Sequence, residues 1–183
     1  MEHESYEAFG SAFFRRAVTA ERVVATVARV AGERITVGPI RVGPGGVANA
    51  EAHGTVGAIT ASQTSEDPIG FRVQIPVSLA MEVIVAGQKS SFSGDLILTL
   101  QIAAHAVVEP LQVVIDIAPL RSQDIVVKTR AAGLQAKLLQ RIGNMDEEIR
   151  DQVLRVVGEL LEAPAAMAVR VIDVGTIIDD VWT

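Results

Sequence analysis

The chain contains no cysteine, which removes disulfides, thiolate metal sites and cysteine nucleophiles from consideration. Aromatic residues are scarce at 4%, with one Trp and one Tyr, so the apolar mass must be aliphatic. Basic residues are outnumbered, 16 Lys and Arg against 22 Asp and Glu, for a formal charge of −6 and a pI near 5.1. Nucleic-acid binding would need a local basic stripe against that field; the densest basic spot is only the pair Arg15 and Arg16, so no nucleic-acid partner is expected. No uncharged apolar run reaches the roughly 18 residues of a transmembrane helix. The acidic start Met1 to Tyr6 has no apolar h-region, so it reads as no secretory signal and a cytoplasmic protein is expected.

What is present is aliphatic. Hydrophobic residues make up 49% of 183 and the mean hydropathy is +0.35, high for a chain with 21% charge. This length suits one domain with a substantial core, and Val, Ala, Ile and Leu fit a pleated surface. From Phe71 to Val85 every odd position is apolar (Phe71, Val73, Ile75, Val77, Leu79, Met81, Val83, Val85), while even positions include Arg72, Gln74, Ser78 and Glu82. A period of two marks a strand with one buried face. The pattern resumes at even positions in Leu96, Leu98, Leu100, Ile102, Ala104, Ala106 and Val108, so the two runs read as a long antiparallel hairpin. Fifteen extended residues span roughly 50 Å, whereas a compact chain of this size is about 40 Å across. The sheet must therefore coil strongly or the molecule must be elongated.

Around the hairpin, residues 4–16 and the segment from Thr19 to Gly32 read as helices, the first with Tyr6, Phe9 and Phe13 in a stripe and the second with Val23, Val24, Val27 and Val30. Thr19 supplies a cap and Gly32 a stop. A strand over 34–42, a turn at Gly43-Pro44-Gly45-Gly46 and a strand over 47–61 follow. The even face of that last strand is small (Ala48, Ala50, Ala52, Gly54, Val56, Ala58), which lets a backbone, helix or ligand approach closely. Thr64 to Pro68 and Gly87 to Gly94 read as loops, the latter exposing Phe92. Strands from Leu111 to Ile117 and Ile125 to Thr129 complete a meander. Helices return with the stripe Leu134, Leu138 and Ile142, then with Met145 to Leu161, where Asn144 and Glu147 have the spacing of a capping box. Ala168 to Val174 reads as a returning strand, and Ile177, Ile178 and Trp182 as an anchor.

Strands are segregated from helices, which predicts an α+β fold: a long, strongly curved antiparallel β-sheet meander with N-terminal and C-terminal helices packed against or inside it. One domain over 1–183 is expected, helical over 1–32, meander over 34–130, helical over 133–163, with a terminal strand and anchor over 168–183.

Signals for chemistry are faint. The histidines are His3, His53 and His105, with no spaced ligand pair such as His-Glu-x-x-His, so no metal is expected. Gly43 to Gly46 lies between strands, which does not suit phosphate binding at a helix N-terminus. Ser90 to Gly94 is no nucleophile elbow. Glu82, Asp95, Asp116 and Asp124 fall on or beside polar strand faces, and Asp173, Asp179 and Asp180 lack calcium-loop spacing. No catalytic residue is assigned and no cofactor is expected.

The remaining signal is apolar area, which must be covered by helices or enclose a tunnel for a hydrophobic ligand. The hairpin Phe71 to Val108, the strand from Leu111, and the helix Met145 to Leu161 followed by Ala168 to Val174 resemble the TULIP superfamily of tubular lipid-binding domains, related to the BPI and SMP modules. That resemblance implies an elongated apolar groove and the carriage or sequestration of acyl chains without catalysis. Unlike the family's larger members the chain is short, and it lacks the disulfide of the extracellular ones.

Three readings stand at this point. The first is a non-enzymatic binder of a hydrophobic small molecule or lipid, its groove lined by Phe71, Val73, Ile75, Val77, Leu79, Met81, Leu96, Leu98, Leu100 and Ile102, with peripheral membrane contact and no transmembrane segment. The second is an interaction protein forming a homo-oligomer through apolar faces. The third is an enzyme on a curved-sheet scaffold using His53, His105, Glu82 or Asp116 as acid or base.

Overall fold

The computed structural model describes residues 5–42, 48–85, 87–131 and 145–182. Its centre is the hairpin of β4 (Ile69–Val85) and β5 (Gln88–Val107). These strands pair in unbroken antiparallel register from Ile69 opposite Ala104 to Val85 opposite Gln88. Between Val85 and Gln88, Gly87 turns the chain at a φ of 81°, a left-handed conformation that glycine adopts without a Cβ clash. Odd positions of β4 from Ile69 to Val83 and even positions of β5 from Ser90 to Ala104 are buried, as the alternation requires.

Each outer edge of the hairpin carries two shorter strands laid end to end. β2 (Ala48–Val56) and β3 (Thr60–Glu66) share the free edge of β4. β6 (Gln112–Ile117) and β7 (Ile125–Ala131) share that of β5. β1 (Arg34–Val42) pairs with β2, and β8 (Val171–Asp173) with β6. Among the described residues the result is an eight-stranded antiparallel sheet, strongly curved, with helices at the termini: an α+β fold.

The continuous strand expected over 47–61 is interrupted, and Pro76 supplies the reason. The Pro76 carbonyl accepts from Gly57 N–H at 2.8 Å, so that side of Pro76 faces the β2–β3 junction. In an antiparallel strand a residue's N and C=O point the same way, so the missing proline N–H falls where the neighbouring ladder is broken. On the other side, Gly87 to Gly94 is not a loop. β5 begins at Gln88, and Phe92 is an inward residue only 3% exposed, opposite Met81. Polar Ser90, Ser91 and Ser93 disguised a strand whose pairing partner lies in β4. The expected inner face also ends early: Ala106 is exposed and Val108 is 78% exposed in a turn.

Two amino-terminal helices, α1 (Tyr6–Ala17) and α2 (Ala20–Ala31), are N-capped by Ser5 and Thr19. α2 presents Val23 to the core, and Gly32 ends it at positive φ. α1 contributes Phe14 and Ala17 to the core margin, while the expected stripe of Tyr6, Phe9 and Phe13 faces solvent. α3 (Met145–Glu162) touches both β1 and β7, the two edge strands at its end of the sheet, and so bridges the open side of the curl. Ala168 to Val174, expected as one strand, divides into the end of a short helix α4 (Pro164–Ala168), the three residues of β8, and the start of α5 (Val174–Trp182). Ile177 and Ile178 are exposed on α5. The turn expected at Gly43 to Gly46, the stripe Leu134, Leu138 and Ile142, the Asn144 cap, His3 and the Trp182 side chain lie outside the described residues.

Candidate functional site

The concave face of the sheet is not filled to its full depth. A partly open cavity of about 200 Å³ lies between it and the helices. Its floor is the hairpin: Ile75, Val77 and Leu79 from β4 and Leu96, Leu98, Leu100 and Ile102 from β5, extended by Ile115 and Ile117 of β6. These positions share one face because strand side chains alternate. The roof is helical. Val23, Val27 and Val30 of α2 and Val153, Val156, Val157 and Leu160 of α3 follow three- and four-residue spacings that keep them on the face toward the sheet.

Seven of the ten residues expected to line a groove do so. Phe71, Val73 and Met81 are equally buried but pack in the core beside the cavity. Small residues on β2 set the spacing there, because a Cβ built on Gly54 would stand 2.8 Å from Val77 Cγ1 and 3.3 Å from Leu79 Cδ2.

Among the described residues the lining is aliphatic except for Arg22, Thr26 and Arg170, and includes no carboxylate. Arg22 sits on the exposed side of α2, its Nη1 donating to the Ala17 carbonyl at 2.9 Å. Arg170 follows α4, half-buried. Its Nη2 donates to the Leu161 carbonyl at 2.6 Å, near the end of α3, and its buried Nε has no hydrogen-bond partner. Periodicity pointed to both helical stripes, but nothing in it singled out Arg170, a lone cation between Val169 and Val171.

The polar groups considered for acid–base work lie on the opposite, convex face and in separate pairs. His53 stands 3.6 Å from Glu51, Lys89 3.2 Å from Glu82, His105 3.2 Å from Asp116, and Arg130 2.9 Å from Asp95. All are substantially solvent-exposed, so these ion pairs contribute little to stability. His53 and His105 project from β2 and β5 and do not meet at one site. Among the described residues, no group of three or more His, Cys, Asp or Glu side chains could hold a metal ion, and no helix is long and apolar enough to cross a membrane. No protein-family model and no curated protein matches this chain.

Proposed function

We propose that this protein binds a hydrophobic small molecule or lipid between the concave sheet and the α2–α3 roof, and that it carries or sequesters the ligand without catalysis. The observation that carries this reading is the aliphatic cavity of about 200 Å³. An apolar cavity of about 150 Å³ stays dry and takes up benzene, and pockets that bury drug-sized ligands run from about 300 to 1,000 Å³. The size therefore favours one slender apolar chain. A tubular lipid-binding relationship of the TULIP kind belongs to the same proposal, and the strongly curved sheet with helices across its open side is compatible with it. Peripheral membrane contact fits α1, which exposes Tyr6, Phe9 and Phe13 close to Arg15 and Arg16.

Self-association is the second reading, favoured by Val171 on β8 and Ile177, Ile178 and Val181 on α5, each exposed. Native mass spectrometry with organic extraction separates the two. A stoichiometric hydrophobic adduct on a monomer is the expected result. A ligand-free oligomer that does not take up a fluorescent fatty acid would replace the first reading with the second.

A further inference from the structure

The cavity's polarity is one-sided. In a chain of net charge −6, the charged residues at its lining, among the described residues, are two arginines and no acid. Arg22 is exposed, where water and salt screen its charge. Arg170 is half-buried, and its guanidinium is charged at every accessible pH. It forms no ion pair among the described residues, its one side-chain hydrogen bond goes to the neutral Leu161 carbonyl, and the buried Nε–H has no acceptor. Buried charges in proteins are ordinarily paired, and a guanidinium fork matches a carboxylate in shape and charge.

We propose that the ligand is a single-chain carboxylate, an amphiphile of the fatty-acid class, with its tail on the hairpin floor and its head on Arg170. This rests on the hydrophobic-ligand reading above and adds the sign and chemistry of the head group. A carboxylate suits the site better than a phosphate monoester, because one half-buried guanidinium balances one negative charge and the cavity is small. The Leu161 carbonyl takes one N–H of a guanidinium that carries five, so donors remain for a carboxylate at this cavity-lining residue.

The test compares dodecanoate, dodecan-1-ol, dodecylamine and dodecyl phosphate at pH 8 by competition with a fluorescent fatty acid. The wild-type protein should prefer dodecanoate over the alcohol by roughly ten- to a hundred-fold, the scale of a charge-assisted hydrogen bond, and reject the amine. Arg170→Met should still bind the alcohol but lose the preference, whereas Arg170→Lys should retain part of it. Equal binding of acid and alcohol by the wild type overturns the inference even if the variants do not fold. So does an undiminished preference in folded Arg170→Met, or tighter binding of dodecyl phosphate. Binding of alcohol without acid preference leaves the hydrophobic-ligand reading standing alone, whereas binding of none of the four overturns both.

Discussion

Thr129 donates its hydroxyl hydrogen to Asp146 Oδ1 across 2.6 Å, and its backbone N–H reaches the same oxygen at 3.2 Å. One carboxylate in the first turn of α3 thus ties the roof to β7. Four residues on, Arg150 Nε donates to the Ile125 carbonyl at 3.1 Å. The cavity exists only while α3 stays at that edge. Asp146→Ala should cost about 1–3 kcal/mol, the usual loss when part-buried donors are left without their acceptor, and speed amide exchange along α3. Urea titration measures the first, and a loss below about 0.5 kcal/mol, typical of an inconsequential surface change, would show that packing alone holds the helix.

Val77 and Leu98 face each other's neighbours on the cavity floor, Val77 opposite Leu96 and Leu98 opposite Ile75. A larger side chain at either position should occupy the cavity. Val77→Trp or Leu98→Trp is expected to abolish uptake of a fluorescent fatty acid with the far-ultraviolet circular dichroism unchanged. Full retention of ligand by both variants would place the binding site elsewhere.

Gly54 has no room for a methyl group, with Val77 Cγ1 2.8 Å from its ideal Cβ. Gly54→Ala should push Val77 and Leu79 toward the cavity and destabilise the fold by about 1–3 kcal/mol, the range for overpacked sites. Thermal and urea unfolding would register it. An unaltered melting temperature would mean that β2 shifts outward freely.

Phe92 distinguishes a strand from a loop. Buried at 3% exposure in β5, it should lose about 3–5 kcal/mol on truncation to alanine. In an exposed loop the same change would be nearly neutral, so the size of the effect reports directly on the register of the hairpin.

Asp173 caps α5, its Oδ1 accepting the Thr176 N–H at 2.9 Å. That hydrogen bond holds its carboxyl below the ordinary aspartate value. Because the folded value lies below the unfolded one, the stabilisation is complete above the unfolded pKa of about 3.9 and is lost as pH falls through the lower folded value. The Thr176 amide shift should titrate below about pH 3.9 in the wild type and stay flat in Asp173→Asn. An inflection at or above the ordinary aspartate range would refute the cap.

The period-two runs determined the central hairpin and its buried face, because alternation is a local property that any strand carries with it. The helical stripes Val23, Val27, Val30 and Val153, Val156, Val157, Leu160 were legible for the same reason. The strong curvature was legible as well, because two extended runs of that length do not fit flat in a compact chain; partnership beyond the hairpin was not. Phe92 lies among serines and belongs to a strand only because Met81 stands opposite it. The long strand expected over 47–61 is broken where the N–H-less edge of Pro76 meets it. Tyr6, Phe9 and Phe13 form a clear stripe, yet the core touches α1 through Phe14 and Ala17. Arg170 acquires its position only when α4 and β8 bring it to the wall of a cavity built from residues far away in the chain. Which apolar faces meet, and how much space they leave between them, depends on how eight strands coil and where α3 crosses their open side, and such long-range geometry has no periodic signature in sequence.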